Sequence, residues 1–166
     1  MIADGAKMTP ALLAIWAETA NWNMISGFTV AWVASEHPDG FALATTWIDS
    51  KQEALAVAGW KTLAALATTV PDETLQMRKF SELLDRVAKT ISAAPDEVRL
   101  AMNRLLIAVG TYVAPLCERA IATARQIGRV EADMGDTACK IPEAELCILK
   151  SRRGMAIAPK RKTVRC

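Results

Sequence analysis

Segments with helical periodicity follow one another along this chain, and none shows the strict apolar–polar alternation that is typical of a β-strand. The clearest is the stretch from Thr74 to Ser92, where apolar side chains form one stripe and charged side chains occupy the opposite face. Successive helices of about 12–18 residues joined by short breaks predict antiparallel helix pairs, and stacked pairs form an all-α helical-repeat solenoid. A compact helical bundle is the competing architecture.

Helix-start signals support this segmentation. Thr9 followed by Pro10 predicts a capped first helix with proline at its first position. Ser50 and Glu53 have the spacing of a capping box before the long apolar segment that ends at Pro71. We therefore expect a helical domain over residues 1–154 and a mobile, basic tail over residues 155–166.

Positive charge is concentrated at one end of the chain. Net charge is only +2, with 20 basic and 18 acidic residues. Residues 150–166 hold seven lysines and arginines and no acid, which leaves thirteen basic against eighteen acidic residues elsewhere, a net of −5. A basic tail of this kind indicates either a solubilising segment or a contact for polyanions such as nucleic acid.

Several classes of site find no support in the sequence. The chain has no H-E-x-x-H, P-loop, G-x-G-x-x-G or G-x-S-x-G motif. Its four cysteines form no C-x-x-C pair, and the single histidine, His37, is distant from them, so we expect reduced thiols, a cytoplasmic location and no zinc site. No run is apolar and long enough to predict a membrane span.

Five tryptophans stand out in a chain of 166 residues. Trp32, among Val30, Ala31 and Val33, is predicted to be core. Trp22, Trp47 and Trp60 lie near helix boundaries or polar residues, and two interpretations stay open for them. They pack between helices, or they offer flat surfaces to nucleobases, where stacking is worth about 1–3 kcal/mol per base.

Arg99 and Asn103 lie one turn apart on a predicted helix that also carries Arg104. The simple interpretation of these side chains is a solvated polar face. The more specific one is a groove that contacts phosphate.

Several segments together resemble the DNA alkylation repair family, the AlkD-like proteins built from HEAT-like helical repeats. They are "WAETANW", "FTVAWVAS", "WIDSKQEALAVAGWKTL", "MNRLLIAVGTYV", "GRVEADMGDTACKIPEA" and "KRKTVRC". The resemblance implies a curved α-α superhelix that holds duplex DNA, and, in active members, removal of N3- or N7-alkylated purines without a cofactor. It also implies further helices before the first segment, so we expect a shortened chain whose open end favours a homodimer.

Residue by residue, the resemblance is incomplete. Trp16, Trp22 and Trp60 match family tryptophans. The family's catalytic Asp falls on Ala20, or on Asn21 with one gap, and its Arg falls on Leu63. Asp49 and Glu18 are the nearby carboxylates that could substitute for the missing Asp, and we take Asp49 as the candidate catalytic residue. The expected glycosylase is therefore weak or inactive.

Two functions remain open at this stage. The first is a DNA-binding protein whose candidate contacts are Trp16, Trp22, Trp47, Trp60, Lys61, Arg99, Asn103, Arg104, Lys160, Arg161, Lys162 and Arg165. The second is a non-catalytic solenoid that binds proteins, which the acidic excess outside the tail favours.

Overall fold

The computed structural model describes residues 4–20, 22, 25–135 and 140–164. These residues form eight α-helices and no strand, in agreement with the all-α prediction. The helices are α1 (Pro10–Thr19), α2 (Ala31–Ser35), α3 (Gly40–Trp47), α4 (Glu53–Thr69), α5 (Met77–Thr90), α6 (Asp96–Tyr112), α7 (Cys117–Ile127) and α8 (Ala144–Arg152). A π-helical turn, Ile25–Val30, leads into α2, and 3₁₀ turns occupy Gly5–Lys7, Asp72–Thr74, Ile91–Ala93 and Ala114–Leu116.

The helices form two layers of a curved stack. Each even-numbered helix packs against the next one, α2 on α4, α4 on α6 and α6 on α8. Among the described odd-numbered helices, only α5 and α7 pack closely on each other. The inner layer of a curved stack has the shorter spacing, so we assign the even-numbered helices to the concave side.

Local sequence explains several of these boundaries. The hydroxyl of Thr9 accepts a hydrogen bond from the Leu12 amide at 3.2 Å, which confirms the predicted start of α1. The predicted capping box between Ser50 and Glu53 is wrong. The Ser50 hydroxyl accepts a hydrogen bond from the Gln52 amide at 3.0 Å, and Gln52 is the N-cap residue of α4. The serine closes a tight turn two residues long instead of capping the helix.

The core is built mainly on α4 and α6. The apolar stripe predicted for α5 packs against them, with Phe80, Leu84 and Val87 fully buried. A smaller apolar cluster joins α1, α2 and α3 to the first half of α4.

Among the described helices, none is both long and apolar enough to cross a bilayer by itself. The pair Asp96–Tyr112 and Ala114–Ile127 reaches that length and hydropathy together, but its two halves meet at an angle of 114°.

Candidate nucleic-acid interface

Lys61 marks the accessible part of α4. From residue 55 to residue 68, every side chain except that of Lys61 is buried. Its ammonium lies 4.0 Å above the centre of the Phe28 ring, which belongs to the π-helical turn before α2. Phe28 in turn meets Trp32 edge to face, with 5.8 Å between ring centres. A cation and two aromatic rings are therefore brought together from two neighbouring helices.

The next helix of the layer adds charges of both signs to this surface. Burial lowers the pKa of Lys61 from 10.5 to about 8, while Glu97 acts to raise that pKa and Arg104 to lower it. Arg104 is exposed in the middle of α6 and forms no ion pair with another described residue. We call the surface formed by Phe28, Trp32, Lys61, Glu97 and Arg104 the Lys61 face.

Gly27 lets the lysine lie this close to α2. A Cβ atom at Gly27 would stand 2.7 Å from the Lys61 nitrogen and 3.0 Å from its Cδ. Any larger side chain at position 27 would displace the lysine from the Phe28 ring. The neighbouring Ser26 is fully buried, and its hydroxyl has no hydrogen-bond partner among the described residues.

The basic tail is bound to the ends of two even-numbered helices, so the prediction that it is mobile is wrong for residues 155–164. The Ala158 amide donates to the Thr111 carbonyl at the end of α6, and the Arg161 amide donates to the Thr68 carbonyl at the end of α4. Unpaired carbonyls at helix ends supply the acceptors that order this segment.

The cations of the tail have different environments. The Lys160 ammonium donates to the Ala67 carbonyl at 2.9 Å and lies 2.8 Å from the Asp72 carboxylate. Arg161 and Lys162 are exposed and form no ion pair within the described chain. Arg165, also predicted to contact DNA, lies outside the described residues. Lys160 therefore serves the fold, while Arg161 and Lys162 leave their charge on the surface.

Two of the predicted stacking tryptophans are interior residues. Trp47 is 3% exposed and Trp60 is 0% exposed, so neither can offer a ring face to a base without unfolding. Trp22 is 63% exposed, and Trp16 packs half-buried beside the smaller core cluster. The prediction that Trp32 is plain core is also wrong, because it is half-buried and pairs with Phe28.

Arg99 and Asn103 hold the segment that follows α7. The Arg99 guanidinium donates to the carbonyls of Ile91, Ser92, Ala94 and Glu131. Asn103 is buried, and its amide donates to the Pro142 carbonyl at 2.9 Å. The two side chains project together, as predicted, but they fasten the irregular segment between α7 and α8. The interpretation as a solvated polar face is wrong for Asn103.

Asp49 also has a structural partner. Its carboxylate lies 2.7 Å from the Arg86 guanidinium of α5. Arg86 donates a second bond to the Ile48 carbonyl and lies over the buried Trp60 ring, 5.4 Å from its centre. Asp49 thus connects α3 to α5 in the outer layer, while Lys61 faces α2 and α6.

Comparison with known proteins identifies the fold. A family model described as "DNA alkylation repair enzyme" matches residues 3–144. The chain belongs to this family. A solved structure from a family described as related to the HEAT-like repeat DNA glycosylases, with affinity for branched DNA structures, superposes with a TM-score of 0.91. The two chains are 31% identical, over 99% of this chain and 70% of that one.

Two curated relatives from Listeria are uncharacterized. The protein of Listeria monocytogenes is 29% identical over 148 residues, and that of Listeria innocua is 28% identical over 148 residues. Each alignment covers 88% of this chain and 62% of the relative, so the chain spans less than two thirds of their length.

Membership of this DNA alkylation repair family gives the residue matches a structural setting. Ala20, which the sequence predicts to stand at the family's carboxylate position, directly follows α1 and carries no charge. Asn21, the alternative prediction, lies outside the described residues. Leu63, predicted to stand at the family's arginine position, is fully buried in the core. Glu18 is exposed on the last turn of α1.

The sequence predicted Lys61 and Arg104 as DNA contacts, but it did not predict the other members of the Lys61 face, Phe28, Glu97 and Trp32. Two patterns in the sequence point to this face. Phe28 and Trp32 are four residues apart in a helical segment, which places them on one face. Lys61 is the single charge in the run "ALAVAGWKTLAALATTV", and a lone charge in a buried helix must reach the surface or a partner.

Proposed function

We propose that this protein binds DNA on the Lys61 face, prefers branched over continuous duplex DNA, and is weak or inactive as an alkylpurine glycosylase. The observation that carries the proposal is the meeting of Lys61 and Arg104 with two half-buried aromatic rings on the concave layer. The likeness to a protein with affinity for branched DNA, at 31% identity over nearly the whole chain, supports the choice of ligand.

The two kinds of side chain have separate tasks in this proposal. Arg104 and Lys61 neutralise phosphates, and Arg161 and Lys162 extend the positive charge at the ends of α4 and α6. Phe28 and Trp32 stack with bases, which are accessible at a branch point and shielded by stacking in a continuous duplex. Positive charge supplies affinity, and the aromatic pair supplies the preference for branched DNA.

Weak or absent glycosylase activity follows from the carboxylates. Departure of an alkylated purine leaves a cationic sugar that a free carboxylate would stabilise. Asp49 is engaged by Arg86 in the outer layer, and Glu97 interacts electrostatically with Lys61. We expect no release of 7-methylguanine from alkylated DNA. Robust release that Asp49→Asn or Glu97→Gln abolishes would refute this part and identify the acid.

The binding test compares a four-way junction with a duplex of equal length at low and moderate salt. Arg104→Glu should weaken junction binding by about tenfold or more, because the change removes a phosphate contact and adds repulsion. Arg78→Glu makes the same charge change on the exposed face of α5 and is the matched control. Equal losses in both variants would show that overall charge, rather than the Lys61 face, controls binding.

A protein-binding solenoid is the second candidate function. Large apolar side chains are exposed at both ends of the helix stack, as is typical of surfaces that bind other proteins. They are Leu12 and Ile15 on α1, and Leu146 and Leu149 on α8. Failure of the wild-type chain to bind junction or duplex DNA at low salt would favour this alternative.

A further inference from the structure

The amine of Lys61 has an unusual environment for a surface lysine. Its Nζ has no hydrogen-bond acceptor or ion-pair partner among the described residues, and it contacts the Phe28 ring and the backbone at Gly27 instead. Among the described residues, the charged groups that act on its pKa are Glu97 and Arg104, both on α6. Nothing in this arrangement occupies the nitrogen lone pair once the proton is lost.

This environment increases the fraction of Lys61 that is unprotonated near neutral pH. With a pKa of about 8 in place of 10.5, about three-hundredfold more of the Lys61 amine is uncharged at pH 7. Desolvated lysines of this kind are the amines that form Schiff bases with carbonyl compounds. The Lys61 face therefore combines a nucleophile with the surface on which we place DNA.

We propose that Lys61 captures the aldehyde of abasic deoxyribose in bound DNA as a reversible Schiff base. This proposal rests on the proposed function, since DNA must first lie on the Lys61 face. An abasic site suits the face because the missing base leaves a gap beside the sugar that Phe28 and Trp32 can enter by stacking on the flanking bases.

The chemistry is balanced without any further reagent. The Nζ lone pair attacks C1′ of the open-chain sugar, and the carbonyl π electrons move to oxygen. Nitrogen then loses a proton and oxygen gains one, which gives a carbinolamine. Loss of that oxygen as water leaves a carbon–nitrogen double bond, so amine and aldehyde become imine and water with no oxidation or reduction.

Reductive trapping tests the proposal directly. The full chain is incubated with a duplex that carries one abasic site, and sodium cyanoborohydride reduces any imine to a stable secondary amine. We expect a covalent protein–DNA product whose modified peptide contains Lys61. A tetrahydrofuran analogue, which has no aldehyde, should give none.

Matched lysine variants locate the nucleophile. Lys61→Arg keeps the positive charge but loses the amine, so the trapped product should fall by about tenfold or more at protein concentrations that saturate the abasic duplex. Lys51→Arg alters an exposed lysine before α4 and should leave the trapped product unchanged. Trapping that persists in Lys61→Arg, or that maps to another amine, would overturn the proposal.

A second arm separates this inference from the DNA-binding proposal. Reductive methylation of the free protein with formaldehyde near neutral pH should modify Lys61 faster than Lys51, because burial lowers the pKa of the Lys61 amine. Slow methylation of Lys61 would overturn the inference even if DNA binds. Absence of binding to the tetrahydrofuran duplex would instead overturn the DNA-binding proposal, and with it the Schiff base.

Discussion

Two groups of basic side chains can be distinguished in this protein, those that bind backbone carbonyls and those that form no ion pair among the described residues. Arg86, Arg99 and Arg152 each donate to backbone carbonyls and fix elements to one another. Lys61 and Arg104 form no ion pair within the described residues. The distinction matters for function, because a guanidinium saturated by carbonyls has little left to offer a phosphate.

The lowered pKa of Lys61 predicts a specific dependence of stability on pH. The unfolded chain holds this proton up to 10.5, whereas the folded chain releases it at about 8, so the lysine's unfavourable contribution diminishes as pH rises between these values. Lys61→Met should therefore be more stable than wild type at neutral pH, with the difference shrinking towards pH 10.5. Urea unfolding at several pH values measures it.

Lys51→Met is the control for that experiment, since it removes an exposed lysine that lies just before α4. A constant difference for Lys61→Met would mean that the amine is as solvated in the folded state as in the unfolded chain.

At the scale of elements, two helix pairs depend on glycine for close approach. A Cβ at Gly59 would stand 2.9 Å from the Ala44 carbonyl oxygen and 2.9 Å from the Ile48 amide nitrogen of the α3 segment. At Gly110 the nearest atom would be Cδ1 of Ile148, at 2.4 Å. Backbone atoms cannot move aside alone, whereas an isoleucine side chain can change rotamer.

We therefore expect Gly59→Ala to lower the free energy of unfolding by about 1–3 kcal/mol, as overpacking does, despite the better helix propensity of alanine. Gly110→Ala should cost less, because Ile148 can adjust. Chemical denaturation of both variants measures the difference. A higher free energy of unfolding for Gly59→Ala would contradict this expectation, and it would show that α3 and α4 can move apart without destabilising the fold.

At the scale of the whole molecule, the tail joins the far ends of α4 and α6. It does so through two backbone hydrogen bonds and the Lys160 ammonium, which binds both the Ala67 carbonyl and Asp72. Removing the tail would therefore disturb the fold as well as any DNA contact. Point changes are the cleaner way to separate the two effects.

Lys160→Ala should lower the free energy of unfolding by about 1 kcal/mol or more, because the Ala67 carbonyl at the end of α4 and Oδ1 of Asp72 lose the ammonium that they share. The double change of Arg161 and Lys162 to Ala should leave stability unaltered and weaken DNA binding, with a smaller salt dependence. Thermal unfolding and junction titrations provide the two measurements. The reverse pattern would assign the DNA contact to Lys160.

Apolar side chains are exposed at both ends of the stack, on α1 and on α8. The homodimer expected from the sequence stays a prediction, which light scattering at micromolar concentration tests. A monomer there would leave these residues as surface apolar groups without a partner chain.

The resemblance of several segments indicated the family and its repeat architecture, where helix periodicity alone left a compact bundle open. The helical class and the position of most helices follow from local information, since periodicity, prolines and capping residues act over a few neighbours. The α5 stripe and the Thr9 cap show how far such information reaches.

Which side chains remain available for function depends on how the helices pack. Trp47 and Trp60 look like Trp22 in sequence, yet two are interior and one is exposed. Arg99 and Arg104 share a helix, yet one is saturated by carbonyls and the other is free of ion pairs within the described chain. Availability depends on partners distant in sequence, and those partners are set by how the helices pack.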